Sequence, residues 1–362
     1  MRIGLLTGGG NMAGVNAAVR SVVTTTISRY GSEVVGILHG FEGLLQPPRV
    51  RSLGLKDVHG FMRRSVTVLG TAPRGNPFEQ SENGSISDRS DELEVSFRWL
   101  GLDCLICIGG LGTVGLAHKI SELGIPIIAI PKSTTNELLA TDRTIGYSTA
   151  VQTAVSVIDR LQSVEENAHR LLYVQVMGRE AGWTALTAAV AGGAHVVLIP
   201  EIPWQAEEIN RLIQKRRERH RPSTIIVVAS GAREAGSEPS KDLDSVARLA
   251  PAIQKLNGLD YDVTLLGPIQ RGGEPDARDR FLATRFGARA VEAAHEGFDR
   301  HLVALKGQEI SLVPLREAVD RHRLVEPRGP IVRTALDQGI SVGVPAADLF
   351  GPAVSVVDSQ HA

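Results

Sequence analysis

The sequence predicts an α/β protein with mostly parallel strands. Three observations point there. Short apolar runs alternate with helix-period segments almost from end to end, the runs are rich in Val, Ile and Leu like strands covered on both faces, and two of them enter glycine-rich turns. The first strand, Ile3–Leu6, ends in Thr7-Gly8-Gly9-Gly10-Asn11 and hands over near Gly14-Val15-Asn16 to a helix over Val15–Ser28. Val34–Leu38 is the second strand. Glu79–Glu94 is polar, with Asn83-Gly84 and several Ser and Asp residues, and reads as an exposed loop leading into a helix at Glu92–Leu100. Cys104–Ile108 is a buried strand entering Gly109-Gly110-Leu111-Gly112-Thr113, with a helix over Val114–Leu123 behind it. Ile127–Ile130 is the next strand and runs into Pro131-Lys132-Ser133-Thr134-Thr135-Asn136-Glu137; Ala150–Ser163 has helical spacing. Further strands fall at Leu171–Val176, His195–Ile199 and Ile225–Ala229. The basic run Lys215–Arg221 ends a helix beginning near Glu207, where cations suit the helix dipole and face solvent.

With 362 residues, 43% hydrophobic and 22% charged, the chain fills one large or two ordinary cores. Its 39 basic and 40 acidic residues leave a net charge of −1, which gives no broad field for nucleic acid or an anionic membrane. Any anion site is therefore local. The longest apolar runs are strand-sized, and Met1–Thr7 meets glycines before a signal-peptide core forms, so a soluble cytoplasmic protein is expected. Cys104 and Cys107 have C-x-x-C spacing, but strand alternation points them to opposite faces and predicts plain burial.

Glycines at a strand-to-helix turn let backbone N–H groups approach a phosphate, and the helix N-terminus adds favourable potential. One such turn is as readily explained by steric need; the second, at Gly109–Thr113, together with the segment after the next strand, gives the backbone of a phosphoryl-transfer site. That chemistry usually employs one carboxylate on Mg²⁺ and another orienting the attacking hydroxyl. Leu111 and Thr135 do neither job well.

Thr7–Arg20 (TGGGNMAGVNAAVR), Val68–Phe78 (VLGTAPRGNPF), Gly109–Thr113, Asp142–Ala150 (DRTIGYSTA), Val174–Trp183 (VQVMGREAGW), Ala191–Glu201 (AGGAHVVLIPE) and Leu266–Ala290 resemble the 6-phosphofructokinase family, in order, up to at least Val313. The likeness is to bacterial forms that include ATP-dependent and pyrophosphate-dependent enzymes. It implies a two-lobed, three-layer α/β/α fold with mostly parallel sheets. The donor lobe would be residues 1–146 plus about 270–315, and the acceptor lobe 147–269 plus about 316–362. A homo-oligomer, dimer or tetramer, is implied too, with neither nucleic acid nor membrane as partner.

On the donor side the resemblance implies roles for Gly9, Arg74, Gly110, Leu111, Gly112 and Thr113, with Leu111 in place of the family's metal-holding aspartate. Mg²⁺ is the family's ion, and leucine offers it no oxygen. Gly112 is typical of ATP users and Lys132 of pyrophosphate users, so ATP or pyrophosphate is the expected donor. In the catalytic segment Thr135 replaces the aspartate that takes the acceptor's proton, and Ser133, Asn136 and Glu137 surround it. Glu137 either reaches an acceptor hydroxyl, or fixes the loop or meets Lys132. The catalytic candidates are Glu137, Thr135 and Arg179. For the acceptor the resemblance implies Ser133, Thr135, Arg170, Met177, Gly178, Arg179, Ser230 and Arg271. Asp262 and Pro268 stand where the family has an arginine and a histidine, and Ser230 where it has a sugar-binding glutamate. Arg170 and Arg271 either hold phosphate or pair with acids. Ordinary fructose 6-phosphate kinase activity is expected to be severely reduced. Two readings remain: a divergent phosphotransferase acting on a small sugar, sugar phosphate or related hydroxyl compound, or a non-catalytic binder of nucleotide or sugar phosphate.

Overall fold

A computed structural model describes residues 1–72, 75–82, 85–164, 170–221, 223–238, 244–319 and 321–351. In chain order the elements are β1 (Arg2–Thr7), α1 (Val15–Tyr30), β2 (Glu33–Ile37), β3 (Val50–Leu53), β4 (Gln80–Glu82), β5 (Ser85–Ser87), α2 (Asp91–Trp99), β6 (Cys104–Gly109), α3 (Leu111–Glu122), β7 (Ile127–Pro131) and α4 (Tyr147–Val164). They continue with β8 (Leu171–Val176), α5 (Trp183–Gly192), β9 (Val196–Leu198), α6 (Ala206–Glu218), β10 (Thr224–Ala229), α7 (Ser245–Asn257), β11 (Tyr261–Leu265), α8 (Ala277–His295), β12 (His301–Lys306), β13 (Glu309–Pro314), α9 (Leu315–Val319), α10 (Pro330–Asp337) and α11 (Ala346–Phe350).

The chain divides into two compact units, Met1–Ala150 with Pro268–Arg323, and Val151–Gly267 with Leu324–Ala362. The first holds a seven-stranded sheet ordered β13-β12-β7-β6-β1-β2-β3, parallel except at β3 and β13. Because both faces are covered, alternate residues of one strand enter different cores. Cys104, Ile106 and Ile108 pack with α1 and α8, while Leu105 and Cys107 pack with α2, α3 and α9. The two cysteines are therefore buried on opposite faces, and burial pushes each thiol up to about 12. The second unit repeats the scheme with a parallel sheet ordered β11-β8-β10-β9, covered by α4, α5 and α10 on one face and α6 and α7 on the other.

Sequence reading places seven of the buried parallel strands and misses the half-exposed ones together with one buried strand, β12. β11 is exposed at Asp262, Val263 and Leu265, so it lacks the continuous apolar run that marked its neighbour β8. β3 and β13 are half-exposed too, whereas β12 buries Leu302, Val303 and Ala304 and is also absent from the expected strands. The polar stretch Glu79–Glu94 is more ordered than expected: Gln80–Glu82 and Ser85–Ser87 pair antiparallel before α2. Asn83-Gly84 between them lies outside the described residues. Among the described residues no helix is long and apolar enough to cross a membrane.

Candidate active site

β1, β6 and β7 are adjacent and parallel, so Thr7, Gly109 and Pro131 end side by side. Ligands of open α/β sheets bind at such carboxyl ends. The turns are stitched together: Gly8 N–H donates to Ile108 O at 2.9 Å, and Lys132 N–H to Gly109 O at 2.9 Å. Thr113, in the first turn of α3, packs under both glycine turns, and a Cβ at Gly8 would lie 2.5 Å from its Oγ1. Glycine is thus required by close approach as well as by the left-handed φ of 70° at Gly9. The helix starts at Leu111, three residues before the sequence reading put it, with Gly110 as N-cap. Its first intrahelical bond, Val114 N–H to Gly110 O at 2.9 Å, leaves the preceding N–H groups of the turn without helical acceptors.

Two cations converge on this backbone. Lys132 Nζ donates to Gly10 O at 2.6 Å, and Arg271 Nη1 lies 3.2 Å from where a Gly10 Cβ would stand. Arg271 is held by Ala13 N–H, which donates to its carbonyl at 3.1 Å. Lys132 is 2% exposed; burial, and then the charge of Arg271, push its ammonium down to about 8. Neither cation has a carboxylate partner among the described residues. A buried ammonium beside an exposed guanidinium, with no carboxylate counterion among the described residues, makes a concavity, or cradle, that an anion would complete. Sequence reading took Lys132 as an indicator of donor type and as an alternative partner of Glu137, whereas its ammonium donates to Gly10 O beside the first glycine turn. The available signal was its place directly after a buried strand. Arg271, expected at the acceptor, stands beside the first glycine turn, and Arg74 lies outside the described residues.

The loop after β7 gathers two hydroxyls around a carboxylate. Thr135 Oγ1 donates to Glu137 Oε2 at 2.6 Å and lies 3.0 Å from Ser133 Oγ, and Ser133 Oγ is 3.5 Å from Glu137 Oε1. Glu137 therefore meets the hydroxyls of the loop and not Lys132. The loop is held from all sides: Thr135 N–H donates to Ser133 Oγ, Thr144 N–H to Asn136 Oδ1, Asn136 Nδ2 to Asp142 O, and Arg323 N–H to Glu137 O at 2.7 Å. Asn136 takes a left-handed φ of 53° to make this turn.

The cradle does not fit a protein-held divalent ion. Leu111 presents hydrocarbon, and among the described residues no group of three or more His, Cys, Asp or Glu is placed to hold a metal. Gly112 is exposed, with open space where a Cβ would project.

The remaining expected acceptor residues lie in the second unit. Ser230 N–H donates to Val176 O and Gly231 N–H to Gly178 O, each at 2.9 Å, binding the Met177-Gly178-Arg179 turn to the end of β10. Gly178 has φ 152°, and a Cβ there would lie 2.8 Å from Ala181 O. Arg170 Nη1 pairs with Asp262 Oδ2 at 2.9 Å across β8 and β11. Of the two arginines for which phosphate and acid pairing were both open, Arg170 is engaged by an acid and Arg271 is not. The second unit also contains a cavity of about 620 Å³ rimmed by His195, Lys215, Arg216, Arg219 and Arg221, so part of the basic run read as a solvated helix end lines a concavity. Arg216 Nε donates there to Thr224 Oγ1 at 3.2 Å, and burial lowers His195 to about 4.

Residues 2–294 match the model of the family described as Phosphofructokinase. An ATP-dependent 6-phosphofructokinase of Chloroflexus aurantiacus is 41% identical over 351 residues, covering 94% of this chain and 98% of that protein. One from Mycobacterium bovis is 43% identical over 337 residues, 90% of this chain and 96% of its own. Among solved structures, a phosphofructokinase from Saccharomyces cerevisiae superimposes with a TM-score of 0.78 at 30% identity over 93% of this chain, which spans 48% of that longer one. A pyrophosphate-dependent phosphofructokinase from Marinobacter aquaeolei gives the same TM-score at 21% identity over 97% of this chain and 91% of its own, a likeness of fold. A match to the family model over most of its length, with relatives above 40% identity across nine-tenths of the chain, places this chain in the phosphofructokinase family.

Proposed function

We propose that the protein is a divergent phosphotransferase of its family, moving a phosphoryl group from ATP or pyrophosphate to a hydroxyl of a small sugar, sugar phosphate or related compound other than the usual fructose 6-phosphate. It works in the cytoplasm as a homo-oligomer, dimer or tetramer. The observation that carries this reading is the Thr135–Glu137 hydrogen bond of 2.6 Å, on the same loop as the cradle's Lys132. A carboxylate accepting from a hydroxyl at the site is a proton acceptor in position, worth about 10²–10⁴-fold when it serves a reacting group.

ATP is preferred as donor because Gly112 leaves open space beside the cradle and because the similar proteins of Chloroflexus and Mycobacterium are named ATP-dependent. Lys132 and Arg271 neutralise charge on the transferring group, and the N–H groups of the Gly109–Thr113 turn receive its oxygens. Mg²⁺ would neutralise charge on the donor's phosphates, with no carboxylate of the cradle to hold it among the described residues. The Arg170–Asp262 pair speaks against a phosphate-bearing acceptor, since an arginine already neutralised attracts a dianion weakly.

The test is donor turnover against a broad acceptor panel at high enzyme concentration with Mg²⁺ or Mn²⁺. Phosphorylated product that is lost in Glu137→Gln supports the reading, and no product from any acceptor overturns it. Leu111 favours a second reading, in which the cradle binds nucleotide or sugar phosphate without turnover. That one predicts a ligand-induced thermal shift with no product, and fails if ATP, ADP, pyrophosphate and sugar phosphates all leave the melting temperature unchanged.

A further inference from the structure

We infer that Thr135 is itself a phosphoryl acceptor, so that the protein phosphorylates its own loop at this hydroxyl. The inference rests on the reading that the Gly9–Lys132–Thr113 cradle binds a phosphoryl donor, and adds a second destination for the group.

Three features of the loop support it. The Thr135 hydroxyl already directs its proton at Glu137 Oε2, 2.6 Å away, which is the arrangement a nucleophilic hydroxyl and its base require. The residue follows Lys132 by three positions, so their Cα atoms lie within about 11 Å of each other by chain length alone, while the Lys132 side chain ends on Gly10 in the cradle. Thr135 is 7% exposed, so bulk water has little access to compete for the phosphoryl group or hydrolyse the product. Ser133 is equally covered at 6%, but its Oγ already accepts from Thr135 N–H and stands 3.5 Å from the nearer carboxylate oxygen, which makes it the weaker nucleophile.

The step balances within these groups. Thr135 Oγ1 attacks the terminal phosphorus of a nucleoside triphosphate or of pyrophosphate, forming an O–P bond as the bond to the bridging oxygen breaks. The Thr135 proton passes to Glu137 Oε2. Nucleoside diphosphate or inorganic phosphate departs with the bridging oxygen.

The experiment uses the purified full chain, first treated with phosphatase, then incubated with ATP and separately with pyrophosphate in Mg²⁺ buffer. Fragmentation mass spectrometry reads the site. One phosphoryl group per chain at Thr135 is expected, appearing at a rate independent of protein concentration. Thr135→Ser should keep the label at that position, Thr135→Val should abolish it, and Glu137→Gln should slow it by about 10²–10⁴-fold. No label with either donor, a label elsewhere, or a rate unchanged in Thr135→Val overturns the inference. Should Thr135→Val fail to fold by circular dichroism, Thr135→Ser decides, since loss of label there is also fatal. Product on an external acceptor without phosphorylated Thr135 leaves the proposed function standing and removes this inference; labelled Thr135 with no external product does the reverse.

Discussion

At the scale of single residues, the site is defined by which charges have partners. Lys132 is buried beside a cation, with no acid partner among the described residues, so its ammonium is pushed down to about 8 from the ordinary 10.5. The sign follows directly: a protonated Lys132 attracts phosphate, and the proton is lost as pH rises through that value. Affinity for pyrophosphate or ATP, measured by calorimetry from pH 7 to 9.5, should fall above about pH 8, and Lys132→Arg should flatten the profile. Without ligand the unfolded chain binds the extra proton between about 8 and 10.5, so stability to urea should rise with pH across that window. Asp262 supplies a second test. Asp262→Asn removes the partner of Arg170 and should improve binding of phosphate-bearing acceptors several-fold, read as a lower KM or a larger thermal shift. These positions were visible in the sequence as substitutions, but spacing alone could not show that Glu137 folds back onto Thr135. That contact depends on Asn136 adopting a left-handed backbone and on Arg323, far along the chain, holding the Glu137 carbonyl.

At the scale of elements, glycines decide how closely turns approach strands. A Cβ on Gly231 would fall on the carbonyl oxygen of Arg179, so Gly231→Ala must push the Met177-Gly178-Arg179 turn away from the end of β10. The expected cost is about 1–3 kcal/mol of stability, seen in chemical denaturation, together with loss of acceptor binding. Capping offers a milder case. Asp276 Oδ1 accepts from Asp279 N–H at 2.7 Å at the start of α8, and Asp276→Ala should cost about 1 kcal/mol without displacing the cradle. Buried strands such as Leu171–Val176 were legible because all their residues but Gln175 meet a core on one face or the other. β11 was not, because its outward residues carry no such constraint and its strand character comes from pairing with β8.

At the scale of the whole molecule, a ligand that binds only the folded chain stabilises it by mass action, by about 2.7 kcal/mol at a hundredfold excess over Kd. Pyrophosphate or ATP should therefore raise the melting temperature, and Lys132→Met should remove most of that rise. Sedimentation should find a dimer or tetramer; a monomer at micromolar concentration would refute the proposed assembly. From residue order alone came the α/β class, the parallel strands and the glycine turns, because strand periodicity, burial on both faces and the steric demands of a tight turn are local properties. The folded chain alone decided that Lys132 and Arg271 both approach the first glycine turn with no carboxylate partner among the described residues, that Arg170 is paired with Asp262, and that Glu137 faces Thr135. Those pairings join residues whose separation along the chain carries no information about distance, so packing of the sheets and loops fixes them.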